Sequence, residues 1–420
     1  MQRILHLVRG RGLVLIAAAL VMVLFVSPAA AQTATPADPL MRAFNAVRSG
    51  LTEKFGVNLS VVQRYTWEQV EFLNGISSCE DNPAQTHRLY FGWRFIITAL
   101  NGNQYEGRSS FDTTIIVACD QITDDTSGSS AGGAPADANL PAPVAGSALT
   151  GGFELGGHVL ELSANTRALM TRAGMTWVKH QVEYSLGADP SIAAGLINNA
   201  HAQGLKVLLG IVGEPSQMGD FNGYISQYAS FVGGVAALGA DAIEVWNEPN
   251  IDREWPAGSI NGANYTQLLA AAYNAIKSNN ANTIVISGAP APTGFFGAAG
   301  CAQGGCNDDT FMQQMAQAGA AQYMDCIGLH YNEGIIPPTQ NSGDPRGGYP
   351  TYYFNSMLAR GYNLFGGKPV CFTELGYLSP EGFSTPLPAA FSWAADTSVD
   401  EHATWLAQAA TAAAQSGRVR

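Results

Sequence analysis

The chain has 420 residues, of which 46% are hydrophobic and only 13% charged, with a formal net charge of −12. The charged fraction is about half the ~25% of an ordinary soluble domain, so Gly, Ser, Thr, Asn and Gln must cover much of the surface. No basic stripe is present to neutralise phosphates, which excludes a nucleic-acid binder, and the composition also excludes collagen, a coiled coil and a multi-span membrane protein.

At the start of the chain, Arg3, Arg9 and Arg11 precede an apolar run from Leu13 to Val26, followed by Ser27-Pro28-Ala29-Ala30-Ala31-Gln32. A basic segment, a short apolar core and an A-x-A site predict a signal peptide over 1–31, cleaved after Ala31. Its 14 apolar residues are short of the ~20 that span a bilayer. The expectation is a secreted protein, extracellular or in the cell envelope, with no membrane attachment after cleavage. Its six cysteines are then free to form disulfides. Cys79 and Cys119 share one N-terminal segment and are expected to pair. Cys301 and Cys306 bracket a Gly-rich loop closely enough to staple it. Cys326 and Cys371 each open a predicted strand, as buried thiols or as a third bridge. None has C-x-x-C spacing, so no metal is expected.

From 36 to 55 the pattern is an amphipathic helix: Pro36 and Asp38 give start signals, and Leu40, Phe44, Val47 and Leu51 recur at helical spacing. Strand-like runs follow at 57–65, 88–100 and 111–119, the last two separated by the turn Asn101-Gly102-Asn103. Residues 36–121 thus read as a small α+β accessory domain, with no acid, base or metal cluster. Residues 122–149 are mostly Ser, Gly, Ala and Pro. Such a stretch buries too little to offset its ordering entropy and reads as a linker.

The region 150–420 alternates strand and helix patterns. Apolar runs begin at Gly152, Trp177, Lys206, Ala242, Thr283, Cys326 and Pro369, with helix patterns such as 191–204 and 265–278 between them. One strand every thirty to forty residues implies parallel βα units, and seven of them fit an α/β TIM (β/α)8 barrel one unit short of closure. A last helix is expected over about 400–416. The chain then ends at Arg420, so the barrel is expected to lack its eighth strand. A doubly wound open sheet is the weaker alternative, because no Gly-rich phosphate loop follows the first strand.

The chemistry concentrates in two motifs. Ile243-Glu244-Val245-Trp246-Asn247-Glu248-Pro249-Asn250 places a carboxylate at the end of the fourth strand, and Val370-Cys371-Phe372-Thr373-Glu374-Leu375-Gly376-Tyr377 places another at the end of the seventh. Strand C-terminal ends are where barrel enzymes carry their catalysts. The two glutamates lie 126 residues apart, and this order of motifs resembles the clan A glycoside hydrolases. These are the "4/7" retaining barrels, including the cellulase-like and β-xylosidase-like families (family 5 or 39 type). The resemblance covers roughly 150–420. It implies Glu248 as general acid/base, Glu374 as nucleophile, and Asn247 as a hydrogen-bond partner of the substrate's 2-hydroxyl. It further implies that His330 and Tyr331, at the end of the sixth strand, line the site, the Tyr often bonding the nucleophile. These families also place a Trp platform at the end of an eighth strand, which this chain is expected to lack. In such a mechanism two carboxyl groups ~5–5.5 Å apart flank the glycosidic bond.

Other residues join the expected site on position. Trp255, in the loop after Glu248, is expected to stack on a sugar ring, and His158 and Gln181, ending the first two strands, to contact sugar hydroxyls. Phe295, Phe296, Tyr349, Tyr352, Tyr353, Tyr377 and Trp393 also fall in loops on that face, where single aromatics more often pack than bind. Glu244 points into the barrel and is expected to pair with Lys179 as a structural element, since a buried charge needs compensation. The reading is a secreted retaining glycoside hydrolase of a β-linked oligo- or polysaccharide, needing no cofactor. The acidic balance favours neutral glycans over polyanionic ones. The alternatives are a non-catalytic glycan-binding barrel at the cell surface and an enzyme acting on the cell's own exopolysaccharide.

Overall fold

The computed structural model describes residues 39–72, 79, 90–111, 113–122, 140–149, 151–294, 296, 300–302, 304–383, 385 and 387–420. The expected signal peptide, residues 123–139 of the expected linker, and Phe295 lie outside the described residues.

The small domain opens with helix α1 (Pro39–Phe55) and continues as the antiparallel strands β1 (Val62–Phe72), β2 (Tyr90–Ala99), β3 (Gln104–Ser110) and β4 (Ile116–Ile122), in that order across one sheet. Ala43, Phe44, Val47 and Leu51, on one stripe of α1, are fully buried against Val62, Phe95, Ile97 and Tyr105. The turn at 101–103 leads into β3, an element absent from the sequence reading. Its sequence QYEGRSS has almost no apolar signal. Gly107 makes the strand possible, because a Cβ there would stand 2.2 Å from the Val47 side chain on the overlying helix. Cys79 and Cys119 form a disulfide.

The larger unit follows the expected βα order. It comprises β5 (Gly156–His158), α2 (Ala164–Arg172), β6 (Trp177–Tyr184), α3 (Ala194–Ala202), β7 (Lys206–Gly213), α4 (Phe221–Ala237), β8 (Ala242–Val245), α5 (Gly262–Asn279) and β9 (Ile284–Ser287). A two-residue hairpin, β10 (Cys301–Ala302) and β11 (Gly305–Cys306), precedes α6 (Asp308–Gln317), β12 (Ile327–Tyr331), α7 (Phe354–Leu364), β13 (Val370–Leu375) and α8 (Val399–Ser416). β5 to β9 form a five-stranded parallel sheet, and β12 and β13 a separate parallel pair. The two pieces meet where Ile286 bridges Cys326, with Ser287 N–H donating to the Cys326 carbonyl at 3.2 Å. The core lies between the strands and the helices, with Val178, Val207, Leu209, Ile211, Ile243 and Val285 at most 1% exposed.

Two features were not expected. First, the last residues of the chain lie beside β13. Val370 N–H donates to the Arg418 carbonyl, Arg420 N–H to the Val370 carbonyl, and Glu154 N–H to the Arg420 carbonyl, each at 2.8 Å. Residues 418–420 thereby tie β13 to the segment entering β5. Three residues are too few to carry a periodicity. Above them, β5 and β13 do not pair with each other among the described residues. Second, the end of the expected linker is anchored. The Val144 N–H donates to Asn274 Oδ1 at 2.7 Å, the Tyr323 hydroxyl to the Pro141 carbonyl at 2.6 Å, and Ser147 N–H to the Ala281 carbonyl at 3.0 Å.

The small domain packs on the larger unit through β1. Ser356 Oγ donates to the Val62 carbonyl at 2.5 Å, Asn363 to Gln63 at 2.8 Å, and Arg64 to Gln313 at 2.7 Å. Beneath this contact Arg360, 2% exposed, pairs with Asp308 at 3.3 Å and Asp309 at 3.4 Å. Among the described residues no helix is long and apolar enough to cross a membrane.

Candidate active site

At the end of β8 the backbone leaves the strand abruptly. Trp246 (φ 75°) and Glu248 (φ 43°) both occupy the left-handed region, which costs on the order of 1–3 kcal/mol for each non-glycine residue. Packing fixes the bend. Trp246 is fully buried and its Nε1 donates to the Glu254 carbonyl at 2.8 Å, while Glu248 N–H donates to the Ala289 carbonyl at 2.9 Å. Gly288 lets the next strand approach, since a Cβ there would lie 2.6 Å from the Val245 carbonyl oxygen. Asn250, fully buried, donates to the Ala291 and Cys306 carbonyls, each at 3.0 Å, and accepts from Ala291 N–H at 2.7 Å. The Cys301–Cys306 disulfide closes the hairpin on which Asn250 rests. The result aims Glu248 at the centre of the face.

There Glu248 meets His330, the last but one residue of β12, which is fully buried. His330 Nδ1 stands 3.2 Å from Glu248 Oε1 and 3.7 Å from Glu374 Oε2. One ligand atom from each of the three lies within 4.8 Å of the others. The imidazole therefore sits between two carboxylates delivered by different strands. Below them Lys179 and Glu244 form the expected pair at 2.8 Å, and Lys179 also donates to the Thr373 carbonyl at 3.2 Å, next to Glu374. Burial pushes the Glu244 carboxyl up, but Lys179, His330 and Thr373 together hold it below its ordinary value.

A cavity of about 1090 Å³ opens beside Glu374, between β5, β13 and α8. His158, Asn332, Tyr377, Phe391 and Trp393 line it with Glu374; Glu248 and His330 do not line it, and His330 stands behind Glu374 at 3.7 Å. Burial, then Lys179, lowers the His158 imidazole below its usual range, against the pull of Glu374. Asn247 is 8% exposed with a buried Oδ1 that finds no partner among the described residues. Gln181 shares the inward face of β6 with Lys179, two residues nearer the mouth, and is exposed.

Two sequence expectations fail on geometry. Trp255 is 1% exposed and packs edge-on against Trp246 and Tyr265 behind the loop, so it offers no face to a ligand. Tyr331 is fully buried and its hydroxyl donates to the Tyr352 carbonyl at 3.2 Å instead of bonding Glu374. The residue after it takes that place: Asn332 Nδ2 donates to Glu374 Oε2 at 3.1 Å. Its signal was its position just past the strand end. Arg253 was also missed. Its guanidinium donates to Glu248 Oε2 at 2.5 Å and to Glu254 at 3.0 Å. The third expected disulfide alternative is realised, with Cys326 and Cys371 joining β12 to β13.

No protein-family model matches this chain, and no curated protein matches it. Among solved structures it is similar to Cel5A of Thermotoga maritima in complex with cellobiose, at 16% identity over 41% of this chain and 54% of that one, with a TM-score of 0.30. An endo-1,4-β-mannanase from Rhizomucor miehei matches at 15% identity over 56% and 81%, TM-score 0.38. A fructose-bisphosphate aldolase from Slackia heliotrinireducens matches at 20% over 38% and 45%, TM-score 0.23. The chain spans about half the length of the first of these. Likenesses of this size, spread over different chemistries, decide nothing about activity.

Proposed function

We propose that this protein is a retaining glycoside hydrolase acting on a β-linked glycan, secreted into an oxidising compartment where its three disulfides persist. The observation that carries the proposal is the pairing of Glu248 and Glu374 from the ends of β8 and β13, bridged by the buried His330. Their spacing suits double displacement, in which the groups must be close enough for one to attack the carbon whose leaving oxygen the other protonates. Glu374 attacks the anomeric carbon as Glu248 protonates the leaving oxygen, and a water activated by Glu248 then releases the sugar. Asn332 holds Glu374 by one oxygen, leaving the other for attack. Asn247, whose Oδ1 has no partner among the described residues, is the acceptor for a sugar hydroxyl.

One contact supports a second reading, a glycan-binding barrel without turnover. Arg253 engages the Glu248 oxygen that proton donation needs. Arg253 is 68% exposed and free to turn out to solvent, and we favour the enzyme. The test is reducing-end release from xylan, β-glucan, mannan and galactan by the wild type, Glu374→Gln and Arg253→Ala. Release by the wild type and Arg253→Ala, absent in Glu374→Gln, supports the hydrolase. Equal release by Glu374→Gln removes Glu374 as nucleophile. Silence from all three, with a glycan still retained by the protein, establishes the binder.

A further inference from the structure

The small domain sits against the loop that leaves β12 for α7. Val61 packs with Ile336 and Tyr353 of that loop. Beside it runs a continuous row of planar groups. Tyr65 of β1 meets Tyr349 edge-on at 5.9 Å, Tyr349 meets Tyr352 at 5.7 Å, and the Arg346 guanidinium lies 3.8 Å from the Tyr352 ring and 4.8 Å from the Trp393 ring. Trp393 is a wall of the cavity beside Glu374. The row thus begins in the small domain and ends at the candidate site.

Its members are held at fixed angles. Arg346 donates to Asp344 at 2.7 and 3.0 Å and also to the Glu333 carbonyl. The Tyr349 hydroxyl donates to the Thr293 carbonyl at 3.1 Å. Asn332, which bonds Glu374, opens the same loop. Tyr65 in turn stacks on Phe44 in the small domain's own core, with centroids 4.0 Å apart. A planar cation between two rings transmits position well, because stacking and five directed donors leave it little freedom.

We propose that the small domain is a positioning element of the site: Tyr65, acting through Tyr349, Tyr352 and Arg346, sets the loop 332–353 and the Trp393 wall. The domain is then a built-in part of the cavity, and Tyr65 is a positioning residue that touches no ligand. The placement holds whatever the cavity binds, and only the kinetic arm below rests on the glycosidase reading.

Trypsin reports it directly, because the Arg346–Gly347 bond is a cleavage site whose side chain is stacked and bonded. The variant is Tyr65→Leu, which keeps the domain's core filled while removing the edge contact. The control is Lys54→Ala, which loosens the far side of the same domain, where Lys54 pairs with Asp120 at 3.0 Å. Under native conditions cleavage after Arg346 should rise about tenfold in Tyr65→Leu and stay at the wild-type rate in Lys54→Ala and Tyr65→Phe. On a substrate that the wild type turns over, Tyr65→Leu should raise KM severalfold with kcat within about twofold, because the wall binds ground and transition states alike. Unchanged cleavage in Tyr65→Leu, or equal cleavage in Lys54→Ala, overturns the proposal. If the wild type turns over no glycan, the hydrolase reading falls and the proteolysis result still decides this one.

Discussion

The buried pair of Lys179 and Glu244 gives the most exposed test of the site's foundations. At 2.8 Å and an effective dielectric of about 20, their attraction is about 6 kcal/mol. Desolvating the two ions costs several kcal/mol each, so the pair as a whole adds little to stability. Breaking it is another matter. Lys179→Met leaves a carboxylate at 0% exposure that accepts from the Ala289 N–H at 3.3 Å, and should cost about 3–5 kcal/mol. The double variant Lys179→Met/Glu244→Leu should recover most of that. The loss should also depend on pH. In the wild type the Glu244 carboxyl is held below its ordinary value, so its contribution is present above the unfolded value of 4.5 and fades as pH falls through the folded one. In Lys179→Met, burial is opposed only by His330 and Thr373, which favours the protonated acid more than in the wild type, and the cost of ionising it grows as pH rises. Both effects make the destabilisation larger at pH 7.5 than at pH 4.5. The assay is urea unfolding of the four members of the cycle at both pH values. A coupling below about 0.5 kcal/mol, or a loss that is the same at both pH values, would refute the reasoning.

Trp255→Ala should lose about 3–5 kcal/mol of stability, as a large buried aromatic does, with glycan affinity unchanged; a raised KM at wild-type stability would restore Trp255 as a sugar platform. Burial first, then the neighbouring Asp309, pushes the Asp308 carboxyl up to about 7 against the pull of Arg360. Its folded value lies above the unfolded 3.8, so its contribution is complete below about pH 4 and is lost as pH rises through 7. Asp308→Asn should therefore gain stability relative to wild type between pH 4 and 7, by on the order of 1–3 kcal/mol. Urea midpoints whose difference stays flat across that range would count against it.

The order of βα units was legible because each strand is a short apolar run and each carboxylate ends one. Three of those runs, at Trp177, Lys206 and Ala242, start on the observed first residues of β6, β7 and β8. The Lys179 and Glu244 pair was legible too, since two charges at inward positions of β6 and β8, on either side of β7, have few other partners. What escaped depends on contacts distant in sequence. β3 is a strand because α1 covers it, residues 418–420 find their partners at 370 and 154, and Trp255 is buried because the backbone bends at Trp246. Arg253 and Asn332 lie in irregular segments, where no period marks which way a side chain turns. The small domain's role was the least legible, because its contacts with the loop 332–353 run between segments almost 300 residues apart.

The two carboxylates come from different sheets. Glu248 follows β8 in the five-stranded sheet, whereas His330 and Glu374 belong to the strand pair that Cys326 and Cys371 lock together. Their separation is therefore a property of neither sheet but of how the two are set against each other, like the gap of a calliper. A molecule that touches both jaws becomes a brace, and its binding energy adds to the energy that keeps the halves together. One that rests on a single jaw binds without stiffening the whole. The difference between a true occupant of the gap and a bystander is thus written in mechanics before any bond is broken.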